Sequence, residues 1–216
     1  MILQEWGVCR SMSGSGIPYA LEIALCSIVE ELEFYGLGNP PVWLLGGSCG
    51  LLLHGARLAA PPRDIDIYCD LEDTWRLHQS LLRYAVSPPE EDFSGSCYSL
   101  RSLYFMGEAK AELVGGFRMG SSDLHYSVDV GMLQQYAPVR NFEGIGLVRL
   151  MPAVHELIFN LLRGRDERCH AIADLIKQDL DTHLPLLYQL IQGNHLEDHL
   201  QTNLEALLGI PASIQI

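Results

Sequence analysis

The chain has 216 residues, 48% of them apolar, with 20 Gly and 11 Pro, a globular composition that excludes disorder and leaves room for a sizeable core. Its 27 acidic and 14 basic residues give a net charge of −13, which argues against duplex nucleic acid or tRNA as a partner. Small ligands, cationic substrates and basic protein partners remain open.

In chain order, residues 1–16 end in a flexible Ser/Gly stretch. From Pro18, the apolar residues Leu21, Ala24, Leu25, Ile28, Val29 and Leu32 recur at helical spacing, and Gly36 and Gly38 stop the helix. Val42–Leu45 follows a Pro pair and reads as a short buried strand. Gly46-Gly47-Ser48 turns the chain into a helix ending near Gly55. After Pro61-Pro62, the segment Asp64-Ile65-Asp66-Ile67-Tyr68 alternates as a strand does. A helix is expected from about Asp73 to Tyr84, then a polar loop from Ser87 to Gly95. Tyr98–Phe105 and Lys110–Phe117 read as a hairpin, with further strand-like pieces at Leu124–Val130 and Gly146–Arg149. Beyond Pro152 the spacing is helical throughout. The expected fold class is therefore α+β, a mixed sheet core with flanking helices over 1–150 and a C-terminal helical subdomain over 151–216.

Six cysteines, at 9, 26, 49, 69, 97 and 169, show no C-x-x-C or zinc spacing. Reduced, partly buried thiols in a cytoplasmic protein are expected. No apolar run is long enough to span a membrane, and the N-terminus lacks the basic-then-apolar pattern of a signal peptide. His195 and His199 are spaced i, i+4 beside Glu197 and Asp198, and read as solvated helix residues rather than a zinc site.

The chemistry concentrates in residues 42–68. Side chains at i and i+2 of a strand share a face, so Asp64 and Asp66 project together, about 7 Å apart at ~3.3 Å per residue. Two like charges so placed repel unless a cation lies between them, and hard oxygen ligands suit Mg²⁺ with substrate phosphates completing its shell. The Gly-Gly turn lets backbone approach a phosphate, and Ser48 near the next helix start adds a hydroxyl. Either motif alone is commonplace: Asp-x-Asp occurs on solvated strands, and Gly-Gly-Ser is usually a plain turn. Their joint occurrence in this order, with a helix between, is far more specific.

Gly46-Gly47-Ser48, the short helix and Arg63-Asp64-Ile65-Asp66-Ile67 together resemble the signature of the DNA polymerase beta-like nucleotidyltransferase superfamily. The gap from Ser48 to Asp64 resembles its bacterial stand-alone branch, which holds the aminoglycoside and abortive-infection nucleotidyltransferases. The spacing is also similar to the opening of tRNA CCA-adding enzymes, but Cys49-Gly50-Leu51 departs from their Val-Arg-Asp. The resemblance implies transfer of NMP from an NTP, ATP by family habit, to a hydroxyl with release of pyrophosphate and with two Mg²⁺ ions. It implies Asp64 and Asp66 as metal ligands and a third carboxylate on a later strand. Lys110-Ala111-Glu112-Leu113-Val114-Gly115 is similar to that strand, which nominates Glu112, with Asp123 and Asp129 as alternatives. The competing reading of Glu112 is a solvated residue paired with Lys110 on its own face, but an acidic residue inside an otherwise apolar strand favours the functional one. Gly46, Gly47, Ser48, Arg63, Lys110 and Arg163 form the expected nucleotide-binding set. Arg165 could take the place of Arg163, or both could pair with Asp166 and Glu167. The acceptor is either a small polar or cationic hydroxyl compound or, as in toxin-type members, an RNA or protein. A catalytically inactive nucleotide- or partner-binding protein of the same fold is the alternative from another class.

Overall fold

The structure is a computed structural model and describes residues 16–34, 41–120, 125–142 and 145–210. The N-terminal Ser/Gly stretch up to Ser15, the helix stop at Gly36 and Gly38, and Asp123 lie outside them.

A six-stranded mixed sheet organises these residues, built from β1 (Leu44–Gly46), β2 (Asp64–Cys69), β3 (Glu90–Ser94), β4 (Cys97–Met106), β5 (Ala109–Gly120) and β6 (His125–Ser127). The order is β1-β2-β5-β4-β3, with β6 continuing along β5. β2 and β5 run parallel, with Asp64 opposite Lys110 and Asp66 opposite Glu112. The other pairings are antiparallel. A second, two-stranded ribbon joins β7 (Val139–Phe142) to β8 (Gly146–Arg149).

Alternation along β2 and β5 sorts the two faces of the sheet. Ile65, Ile67, Ala111 and Leu113 are fully buried on one face, in a core shared with α1 (Tyr19–Phe34) and α3 (Thr74–Ser80). The helical spacing read in the sequence supplies Leu21, Ala24, Leu25, Ile28, Val29 and Leu32 of α1 to that core. Asp64, Asp66, Lys110 and Glu112 are left on the opposite face. Part of that face is covered by a second core, in which Leu44, Leu51, Tyr68, Val114 and Phe117 meet α5 (Ala153–Leu162), α6 (Asp166–Ile176), α7 (Leu180–Gly193) and α8 (Glu197–Leu208).

Several elements differ from the sequence expectation. The segment 87–95, expected as a polar loop, contains β3, an edge strand hydrogen-bonded to β4 alone. Its Glu90-Glu91-Asp92 run carries no apolar alternation because neither face enters a core. The helix expected over 73–84 is broken: α3 spans only Thr74–Ser80, with single 3₁₀ turns at Leu71–Asp73 and Leu82–Tyr84. The strand expected over 124–130 is only β6; Asp129 then caps a short helix, α4 (Val130–Leu133), accepting the Met132 N–H at 2.7 Å. The helix whose apolar spacing runs from Leu184 to Ile191 is longer, since α7 starts at Leu180, ends at Gly193 and carries Pro185 inside it. His195 precedes α8 with φ 53°, so the His195/His199 pair does not lie on one helix.

Candidate active site

The strand-to-helix junction is built by glycine. β1 ends at Gly46, and α2 (Gly47–His54) starts on the next residue with no intervening loop. Gly47 has φ +61°, and a Cβ there would sit 1.9 Å from Asp66 Oδ2, so the Asp66 carboxylate rests directly on the Gly47 backbone. At Gly46 a Cβ would meet the Tyr68 ring at 2.7 Å and Glu156 Oε1 at 2.9 Å. These two positions have room for no side chain, because the Asp66 carboxylate fills the space at Gly47 and the Tyr68 ring and the Glu156 carboxylate fill it at Gly46.

Two later helices grip the same junction. Glu156 of α5 is 2% exposed, and its Oε1 accepts the Gly47 N–H at 2.7 Å. Arg168 of α6 donates to Ser48 Oγ at 3.0 Å. The Gly47 N–H, expected to face a phosphate, is thus committed to Glu156. Asn160 Nδ2 donates to the Glu156 carbonyl at 2.7 Å and lies 3.5 Å from its Oε2.

Asp64, Asp66, Glu112, Ser48, Gly47 and Arg63 line one cavity of about 560 Å³. Arg163, Arg165 and Arg168 line it as well, as do Glu156 and, across the sheet, Arg101 and Asp92. Five of the chain's 14 cationic residues therefore face one cavity of a protein with net charge −13. Burial lowers the pKa of Arg165, and the neighbouring guanidiniums of Arg163 and Arg168 lower it further, so this wall is a cationic cluster. The Arg163 guanidinium also lies over the Phe159 ring, 5.1 Å from its centroid.

The carboxylates are the opposite half of the site. Burial raises the Asp66 pKa to about 7, and Asp64, Glu156 and Glu112 add to the rise. Glu156 is raised by burial too, against its hydrogen bond from Gly47 and the nearby Arg168. Cys49, whose thiol donates to the Asp64 carbonyl at 3.2 Å, is pushed up to about 12 by burial beside Asp66 and is an inert thiol.

Three hard oxygen donors on one face, one of them with its ionised form disfavoured by burial and by neighbouring carboxylates, fit a hard divalent cation. As the side chains stand, no three His, Cys, Asp or Glu among the described residues form a ready cage. Glu112 is engaged elsewhere: Lys110 Nζ hydrogen-bonds its Oε1, and Arg101 lies 3.8 Å from its Oε2. Glu112 thus shares a face with the aspartates and also pairs with Lys110. Lys110 reaches the carboxylates rather than the arginine wall, lying 3.9 Å from Asp64 Oδ2. Asp129, the alternative third carboxylate, is spent on capping α4. Glu156, Arg168 and Arg101 were not selected from the sequence. Only Glu156 carried a signal there, an acidic residue inside the apolar run Ala153–Phe159.

No protein-family model matches the chain, and no curated protein matches it. Among solved structures it is similar to TM1012 of Thermotoga maritima, a presumed nucleotidyltransferase, with a TM-score of 0.59 and 19% identity over 75% of this chain and 96% of that one. Weaker likenesses are to the lincosamide antibiotic adenylyltransferase LnuA with lincomycin bound and to an antigenic nucleotidyltransferase-like protein from Paracoccidioides brasiliensis. The first has a TM-score of 0.41 and 12% identity over 66% of this chain and 85% of that one. The second has a TM-score of 0.43 and 14% identity over 91% and 94%. The chain has the nucleotidyltransferase fold, an α+β core around a mixed sheet with flanking helices.

Proposed function

We propose that the protein is a metal-dependent nucleotidyltransferase that moves NMP from an NTP, ATP by default, to a hydroxyl acceptor and releases pyrophosphate. One observation carries the reading: a single cavity joins a face of acidic strand residues to a wall of three arginines at the Ser48 helix start. A nucleoside triphosphate with divalent ions needs both halves.

In this reading Asp64, Asp66 and Glu112 hold the metal. When bound, two Mg²⁺ ions would neutralise charge on the transferring phosphoryl group and on pyrophosphate. Arg163, Arg165 and Arg168 bind the triphosphate, with Ser48 beside them and Arg63 at the cavity wall. The acceptor oxygen attacks the α-phosphorus in line, the bond from α-phosphorus to the bridging oxygen breaks, and that oxygen keeps the electron pair as pyrophosphate leaves. The acceptor proton passes to the Glu112 carboxylate and on to solvent. Asp92, Ser94 and Ser99 line the β3–β4 side of the cavity and suit a small polar or cationic hydroxyl compound. We also propose a functional division of the chain, with 1–150 supplying the carboxylates and 151–216 supplying Glu156 and the arginine wall. The free, mostly buried cysteines suit a cytoplasmic location.

The test is pyrophosphate release from purified protein with Mg²⁺, each NTP in turn and pooled small-molecule, RNA and protein acceptors. Release with one donor and one acceptor class supports the reading and names the acceptor. Nucleotide binding with no release from any pool replaces it with that of a binding protein.

A further inference from the structure

Parallel pairing of β2 with β5 places four side chains on one face: Asp64 beside Lys110, and Asp66 beside Glu112. Adjacent strands lie ~4.8 Å apart and same-face neighbours along a strand ~7 Å apart. Three corners of this square are acidic and the fourth is a lysine. The Lys110 ammonium does not point away from the acids. It hydrogen-bonds Glu112 and lies 3.9 Å from Asp64, bridging one carboxylate from each strand. Glu112 is only 15% exposed, so the contact is partly shielded from water. Among the described residues no such cation pairs with Asp66, although Asp66 is the more buried aspartate. The face thus has one acidic position paired by the chain itself and one without an ion pair.

We propose that Lys110 is a tethered counter-ion seated where a cation bridging Asp64 and Glu112 would lie, so that a divalent ion enters that position only by displacing it. The proposal rests on the reading of Asp64, Asp66 and Glu112 as metal ligands. It makes the two cation positions unequal. An ion drawn to Asp66 has no ion pair to break, since Arg168 acts on Asp66 only through space, whereas a second ion, at Glu112, must first break the lysine contacts. The ammonium so released is a mobile cation beside the substrate, free to take up an anion. A lysine–carboxylate pair of purely structural value would not govern ion loading.

Removing any nearby positive charge tightens cation binding through space, so occupancy must be separated from field. Arg101 provides the comparison. Its guanidinium lies 3.8 Å from the other Glu112 oxygen and 3.5 Å from Asp92, but it does not bridge to Asp64. The experiment is Mn²⁺ titration of the wild type, Lys110→Met, Arg101→Met and Asp66→Asn without nucleotide. Bound ion is counted by paramagnetic resonance, and folding is checked by thermal melts in chelator.

The expected result is one tight Mn²⁺ in the wild type and two in Lys110→Met, the second bound at least ~10-fold more tightly than in the wild type. Arg101→Met should change it by no more than ~3-fold, and Asp66→Asn should abolish the first ion. The Mn²⁺-induced rise in melting temperature should also be larger for Lys110→Met than for the wild type. Equal tightening by the lysine and arginine variants would overturn the proposal in favour of a through-space field. Unchanged binding in Lys110→Met would overturn it as well. In both cases loss of binding in Asp66→Asn leaves the metal-site reading standing. Mn²⁺ binding that ignores Asp66→Asn removes that reading and the lysine proposal together.

Discussion

Replacing Asp66 by Asn keeps the size and most of the hydrogen-bonding capacity of the side chain but deletes a charge that the fold holds at a cost. Burial and the charges of Asp64, Glu156 and Glu112 raise the Asp66 pKa from 3.8 to about 7. At ~1.4 kcal/mol per pH unit, a rise of about three units is ~4 kcal/mol of strain on the ionised folded state. Between pH ~4 and ~7 the folded protein holds a proton on Asp66 that the unfolded chain has lost, so metal-free stability declines as pH rises through that window. Asp66→Asn should therefore be the more stable protein in chelator. The gain should be ~1–3 kcal/mol at pH 8, less than the full figure because the buried amide needs partners of its own, and it should vanish near pH 4. Saturating Mg²⁺ should reverse the order, since an ion at 100 times its Kd stabilises the wild type by ~2.7 kcal/mol and the variant hardly at all. Pyrophosphate release should fall at least ~100-fold. The assay is urea unfolding across pH with and without Mg²⁺, beside pyrophosphate release at the same conditions. A variant less stable than the wild type in chelator at pH 8 would refute this reasoning, because it would mean the Asp66 charge is already compensated within the fold.

Three further outcomes are expected. Gly47→Ala forces a side chain into a left-handed backbone and against Asp66 Oδ2, and should lower stability by ~1–3 kcal/mol and remove the Asp66-dependent Mn²⁺ ion; unchanged Mn²⁺ binding would separate the turn from the carboxylate. Arg168→Met deletes the charged donor to Ser48 and one cation of the arginine wall; in the proposed reading it removes a charged hydrogen bond to the triphosphate worth ~1.5–3 kcal/mol, so KM for the NTP should rise ~10–100-fold with a smaller change in kcat, and an unchanged KM would make the contact structural only. His155, buried and hydrogen-bonded through Nδ1 to the Tyr126 hydroxyl at 2.6 Å, has its pKa lowered to about 3 by burial. The unfolded imidazole gains a proton below pH ~6.5 that the folded one refuses, so stability falls as pH drops from there toward 3. His155→Gln should flatten that acid limb and Asp66→Asn should steepen it, which urea midpoints at pH 7 and pH 4.5 will check.

What the sequence determined by itself was whatever depends on local period. Asp-Ile-Asp-Ile places both aspartates on one strand face and both isoleucines on the other, wherever that strand ends up. The apolar spacing of α1 and the Gly-Gly-Ser junction ahead of α2 are likewise properties of short segments. Tertiary structure decided everything that depends on register and on distant partners. Glu112 stands beside Asp66 only because β2 and β5 pair in parallel with that register, which no local pattern encodes. Glu156 and Arg168 reach Gly47 and Ser48 from 109 and 120 residues away, and nothing in a helix's own sequence names the backbone it will be packed against. The strand β3 escaped notice for the same kind of reason: its hydrogen bonds come from β4, while its side chains face solvent and a polar cavity and so leave no apolar period to read. Lys110 could be placed on the acidic face beside Glu112 from the sequence, but its approach to Asp64 depends on the neighbouring strand.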